Sequence, residues 1–204
     1  MTENSDSKIG GLLLAAGGSS RLGQPKQLLQ FEGRSLIRIS AENLVASGCD
    51  PIVVVLGAET DRSPEELSDL GVGICINEEW QSGMSSSIKV GLKALAGIEP
   101  TLGGVLITLC DQPNITADML GAFLSRFRIS RPAMIAARYG EIVGVPALFS
   151  NELFEALFQL HGDTGARELI RQRNDIVTID LDAAAFDIDT PDDIILYPAK
   201  KSLK

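Results

Sequence analysis

Short runs of apolar, β-branched residues alternate with longer segments whose apolar positions recur at helical spacing. Ile9–Ala15 (IGGLLLA), 51–57 (PIVVVLG), 72–77 (VGICIN), 103–110 (GGVLITLC) and 133–137 (AMIAA) are nearly continuous in apolar residues. That pattern predicts strands buried on both faces, as in a parallel sheet. Helical stretches are predicted near 35–47, 64–70, 85–96 and 117–127, the last with Thr116 as N-cap and Asp118 in its first turn. Such alternation specifies a three-layer α/β fold with right-handed crossovers. After residue 137 the rhythm changes. RYGEIVGVPALFS predicts a turn and an antiparallel strand, followed by helices near 151–160 and 165–173. DIVTIDLD is then a further strand, and Pro191 opens a final helix. With no repeat, linker or low-complexity segment, residues 1–204 read as one domain whose ends, 1–8 and 199–204, are expected to be flexible.

Composition narrows the function. The chain has 204 residues, 45% hydrophobic, with 18 Lys plus Arg against 27 Asp plus Glu and a net charge of −9. That balance argues against a general nucleic-acid or membrane-surface binder, which needs a clustered basic face. A small anion remains possible where a few cations converge. Cys49, Cys75 and Cys110 are odd in number and lack CxxC spacing, so neither a disulfide framework nor a zinc site is expected. With a polar, acidic N-terminus unlike a signal peptide, the reading is a cytoplasmic protein.

Chemistry concentrates in the loop after the first strand, LLLAAGGSSRLGQPKQLL (12–29). Gly18 to Gly23 has the spacing of a Walker loop, but Gln24 and Pro25 follow where Lys and Ser or Thr are required. A dinucleotide fingerprint fails too, because Ser19 and Ser20 hold glycine positions. A third pattern fits, L-A-A-G-x-S-x-R-L-G-x-x-K. It resembles the signature of MobA-like nucleotidyltransferases, and within them the molybdenum cofactor cytidylyltransferases. NEEWQSGMSSSI (77–88), LCDQP (109–113), GDTGAR (162–167) and DIDTPDD (187–193) match in the same order, so the resemblance runs from Leu12 to Asp193.

The resemblance implies a mostly parallel, Rossmann-like sheet with an antiparallel strand, as in nucleotide-diphospho-sugar transferases. It implies Mg²⁺-dependent transfer of CMP from CTP to the terminal phosphate of molybdopterin, releasing pyrophosphate, with a molybdenum-dependent dehydrogenase as a further partner. A phosphate monoester is largely dianionic near neutral pH, so the nucleophile needs no side-chain base. Catalysis then reduces to positioning and charge neutralisation. The family pattern assigns Leu14, Ala15, Ala16, Gly17, Gly18, Ser19 and Ser20 to the nucleotide, Arg21 to the outer phosphates and Lys26 to charge at the α-phosphate. Asn77, Gly83, Ser85 and Ser86 join the nucleotide site. Asp111 and Asp189 are the Mg²⁺ ligands, and Gln112, Asp163 and Arg167 lie on the acceptor side. Ala16, where guanylyltransferases read L-A-G-G, favours a pyrimidine.

Each assignment has a plainer counterpart. Arg21 and Lys26 could be solvated on a loop, Asp111 could cap a turn, and Thr190 with Pro191 could be only a helix start. Trp80 is equally a packing residue or a pterin contact, and His161 reads as structural. On the family reading, Lys26 serves turnover and hardly affects stability, while the two carboxylates repel without a metal. Two rivals stay open: a nucleotidyltransferase using GTP or another phosphorylated acceptor, and a non-catalytic molybdenum cofactor chaperone.

Overall fold

The computed structural model describes residues 7–19, 22–57 and 63–201. Arg21 and Ser20, assigned above to phosphate binding, lie outside the described residues, as do 1–6 and 202–204.

Among the described residues, nine strands and six α-helices follow in chain order: β1 (Ile9–Ala15), β2 (Gln30–Phe31), β3 (Arg34–Ser35), α1 (Leu36–Ala46), β4 (Ile52–Leu56), β5 (Gly73–Ile76), α2 (Met84–Ile98), β6 (Gly104–Leu109), α3 (Ala117–Ser130), β7 (Met134–Tyr139), β8 (Ile142–Ser150), α4 (Phe154–Phe158), α5 (Ala166–Arg171), β9 (Val177–Asp180) and α6 (Pro191–Lys201). Seven strands form one sheet in the order β5-β4-β1-β6-β8-β7-β9, while β2 and β3 pair as a separate small ribbon. β8 alone runs antiparallel, against both β6 and β7. The fold is the mostly parallel, three-layer architecture expected.

Alternate residues of the central strands feed two cores. Leu13, Val54 and Leu106 pack with Leu44, Phe123, Phe127 and Tyr197 of α1, α3 and α6. Leu12, Leu14, Val55 and Ile107 pack on the other face with Ile88, Leu95, Leu157 and Ile170 of α2, α4 and α5. Burial of both faces is what the unbroken apolar runs of β1, β4 and β6 require. Thr116 caps α3 as expected, its hydroxyl accepting from the Met119 N–H.

Two local expectations fail for identifiable reasons. β5 pairs only with β4, at the sheet edge, so Ile74 and Ile76 are exposed rather than buried. The helix expected near 64–70 shrinks to one 3₁₀ turn, Glu65–Leu67, in which only Leu67 is buried. A segment with one anchoring side chain, stopped at Gly71 with φ of 67°, cannot offset helix nucleation. No helix among the described residues is long and apolar enough to cross a membrane.

From β1 the chain moves outward to β4 and β5, whereas β6 sits on the opposite side of β1. The strand order therefore reverses between β1 and β6. In open α/β sheets the crevice at the carboxyl ends of such strands is where ligands bind.

Candidate functional site

A cleft of about 410 Å³ opens there, lined at the ends of β1 and β6 by Leu14, Ala15, Ala16, Gly17, Gly18, Leu109, Cys110 and Asp111. Lys26 and Gln27 close one side; Trp80, Gln81, Met84, Ser87 and Asp163 form the other. Its size suits a small-molecule site.

The strongest feature is a three-residue charge cluster drawn from distant segments. The Lys26 Nζ donates to Asp111 Oδ2 at 2.5 Å and to Asp189 Oδ1 at 3.1 Å. Backbone bonds explain why these residues meet. The Ile188 N–H donates to the Asp111 carbonyl (2.9 Å), locking DIDTPDD against LCDQP. The Tyr197 hydroxyl of α6 donates to the Pro113 carbonyl (3.3 Å), holding the same junction from below. Ahead of α6, the Asp193 carboxylate accepts from the Asp189 and Thr190 N–H groups at 3.1 and 2.8 Å. This is the returning half of a capping box, and it fixes the turn that presents Asp189. Thr190 does start the helix, but its hydroxyl donates to Asp193 instead of accepting from the backbone.

Burial by itself would lower the Lys26 pKa; the Asp111 and Asp189 carboxylates override it and raise it above the ordinary lysine value. The expectation that the two acids simply repel in the absence of metal is thus corrected: Lys26 is their internal counter-ion. Asp187, from the same DIDTPDD segment, was not singled out in the sequence. Surrounding protein desolvates its carboxyl, and the Asp111 and Asp189 charges add to this, so its pKa is pushed up to about 6 although the residue has an exposed edge. The acidic spacing D-x-D was the available signal.

Asp111 Oδ1 is a buried acceptor without a hydrogen-bond partner. Among the described residues no group of three or more His, Cys, Asp and Glu side chains forms a closed metal cage. The free Asp111 oxygen, with the Asp189 carboxylate nearby, suits instead a hard cation such as Mg²⁺ or Mn²⁺, which takes few protein ligands and completes its shell with water and phosphate oxygens. The residues present fit such an ion.

Gln27 is a second feature the sequence did not flag. Only 3% exposed, it donates through Nε2 to the Ala15 (2.7 Å) and Gly17 (2.9 Å) carbonyls. It therefore shapes the loop from within. The Ser19 hydroxyl accepts from the Lys26 N–H at 2.9 Å, closing the loop on itself. Trp80 stacks its ring edge over Gly18, where an added Cβ would stand 2.7 Å from Cη2. Trp80 thus packs and lines the cleft at once. Ala16 lines the cleft while its Cβ rests against Gly57.

Several expected ligand contacts are placed elsewhere. Asn77 is 1% exposed, and its Nδ2 donates to Ser86 Oγ and Ser87 Oγ at 2.7 and 2.9 Å. It fastens the loop to the start of α2. Gln112 is 3% exposed and donates to the Ala184 carbonyl (3.0 Å), which ties it into the interior. Gly83, Ser85 and Ser86 are outside the cleft lining, with Gly83 pressed on Gly162. Asp163 lines the cleft, whereas the exposed Arg167 stands beside the buried Tyr139 hydroxyl. His161 is exposed and away from the cleft.

Comparison with known proteins places the chain among relatives of known family. The chain is 32% identical over 194 residues to nicotine blue oxidoreductase of Paenarthrobacter nicotinovorans, covering 89% of this chain and 92% of that protein. It is 27% identical over 192 residues to the molybdenum cofactor cytidylyltransferase of Escherichia coli, covering 93% and 95%. Among solved structures, Rv0371C in complex with manganese from Mycobacterium tuberculosis superposes with a TM-score of 0.78 at 26% identity, covering 93% of this chain and 97% of that one. A model of the MobA-like NTP transferase domain matches residues 11–177, and the chain belongs to that family.

Proposed function

We propose that the protein is a divalent-metal-dependent nucleotidyltransferase that moves CMP from CTP onto the terminal phosphate of molybdopterin. An acceptor phosphate oxygen forms a bond to the α-phosphorus of CTP, the bond from that phosphorus to the bridging oxygen breaks, and pyrophosphate leaves with the electron pair. The observation that carries this reading is the meeting of Lys26, Asp111 and Asp189 at the mouth of the glycine-rich loop.

Each residue has a physical task. The loop 14–18, braced by Gln27, offers backbone to the triphosphate. Lys26 runs past Gly17, so rotation of its flexible side chain carries the ammonium from the carboxylates to phosphate oxygens, where it meets negative charge gathering in the transition state. Asp111 and Asp189 would hold a magnesium or manganese ion, whose chemistry is to neutralise triphosphate charge. Trp80 and Asp163, on the far wall, face the acceptor. Nothing in this scheme needs a general base, in keeping with the placement of His161 outside the cleft.

The similarity to nicotine blue oxidoreductase supports a second reading, an oxidoreductase. One experiment separates the readings: pyrophosphate release is measured over a panel of nucleoside triphosphates with molybdopterin and Mg²⁺ or Mn²⁺, alongside consumption of a nicotinamide reductant. Pyrophosphate with CTP supports cytidylyl transfer, and with GTP it corrects the base. Reductant consumption without pyrophosphate overturns the proposal. Binding of molybdopterin with neither product marks a chaperone.

A further inference from the structure

A second cavity of about 340 Å³ shares no lining residue with the nucleotide cleft. The segment that leads from β5 into the first turn of α2 is common to both: Trp80, Gln81 and Met84 line the cleft, Glu79, Ser82 and Ser85 the second cavity. The partition is a backbone contact. Gly83, at φ of 108°, lies so close to the 162–163 peptide that an added Cβ would stand 2.5 Å from the Gly162 carbonyl carbon.

Four observations give this cavity a sign. It flanks the start of α2, fifteen residues long, whose N-terminus has no side-chain cap and no acidic residue in its first turn. The partial positive charge of that end is uncompensated. Lys89 and Lys93, one and two turns along the same helix face, line the cavity, and neither has an ion-pair partner among the described residues. Like charges four apart on a helix repel, so the pair is unfavourable until an anion joins it. Ser85, at the head of the same i, i+4 row, is 1% exposed and lines the cavity, and its hydroxyl has no hydrogen-bond partner. Among the described residues Glu79 is the one carboxylate in the lining, outnumbered by the two lysines. In a chain of net charge −9 such a convergence of cations is out of character.

We infer that this cavity binds a phosphate-class anion, independently of the nucleotide cleft. Ser85 supplies a hydroxyl donor, the first turn of α2 its field, and Lys89 and Lys93 the compensating charge. The occupant presses on Gly162, next to Asp163 in the cleft, so the site is placed to couple anion concentration to acceptor handling.

The test titrates inorganic phosphate and, separately, pyrophosphate into the protein by calorimetry. Lys26→Ala weakens anion binding in the cleft; Lys89→Gln/Lys93→Gln and Ser85→Ala strip the second cavity, the lysine pair without disturbing the core. The expected result is saturable binding of at least one anion to Lys26→Ala, weakened tenfold or more by Lys89→Gln/Lys93→Gln and severalfold by Ser85→Ala. CTP binding should be unchanged in the lysine double variant. Anion binding that vanishes in Lys26→Ala and persists in the double variant would assign every anion to the cleft and overturn the inference. Absence of saturable binding of both anions to wild type would overturn it equally.

Discussion

Removing the Lys26 side chain should destabilise the ligand-free protein, a consequence of its place between two carboxylates. Lys26 and Asp111 are 14% and 18% exposed at their side chains, and Asp189 40%. Breaking a fully buried ion pair costs about 3–5 kcal/mol because the surviving charge is stranded. Breaking an exposed one costs about 0–1 kcal/mol. This site lies between, so Lys26→Ala should cost about 2 kcal/mol, near thirtyfold in the folding equilibrium. For a chain of this length that lowers Tm by about 4–8 °C. Asp111→Asn added to Lys26→Ala should restore part of the loss, since it removes the stranded charge. The pH dependence has a fixed sign. The Lys26 pKa is raised in the folded state above 10.5, so the contribution is fully present below the unfolded value and fades as pH climbs through the folded one. Urea denaturation of wild type, both single variants and the double variant measures all of this. A Lys26→Ala midpoint equal to wild type would refute the counter-ion role, whatever happens to turnover.

Other consequences are as direct. Gln27→Met should leave the Ala15 and Gly17 carbonyls unpaired, costing about 1–3 kcal/mol and raising KM for nucleotide more than it lowers kcat; unchanged urea midpoint and KM would show that Gln27 does not brace the loop. Gly18→Ala should cost about 1–3 kcal/mol by driving a methyl into the Trp80 ring, and Trp80→Leu should relieve it, which a double-mutant cycle on thermal melting checks. Burial pushes the Cys49 and Cys75 thiols up to about 11 and Cys110 higher still, so alkylation by iodoacetamide at neutral pH should be slow at all three until urea unfolds the chain; rapid labelling of the native protein would contradict it.

The central strands were legible because burial on both faces writes unbroken apolar runs, and β1, β4 and β6 carry them. β5 carries a similar run and ends half-exposed, since its sequence does not say that it will lie at the edge. The short turn at 65–67 was overread because periodicity over seven residues cannot report how many of them find a core. At the site, motif order singled out Lys26, Asp111 and Asp189, and the fold brings the three together, but no motif states that they pair with one another. Asn77 and Gln112 show the opposite limit. A polar side chain inside a motif reads as a ligand contact, although a buried amide serves as well to satisfy backbone and hydroxyl groups, and here both do. Gln27 was invisible for the same reason: its importance lies in two carbonyls that only the folded loop turns toward it.

The central claim is transfer of a nucleotidyl group at the Lys26–Asp111–Asp189 cluster, and label transfer tests it most directly. Wild type and Asp111→Asn are incubated with CTP labelled at the α-phosphate, molybdopterin and Mg²⁺ or Mn²⁺, and the label is followed into the acceptor. Label in the acceptor with stoichiometric pyrophosphate from wild type, reduced at least 10²-fold in Asp111→Asn, the scale of losing one electrostatic stabiliser, is the predicted result. Label that stays in CTP with the wild-type protein, or transfer undiminished by Asp111→Asn, would contradict the account.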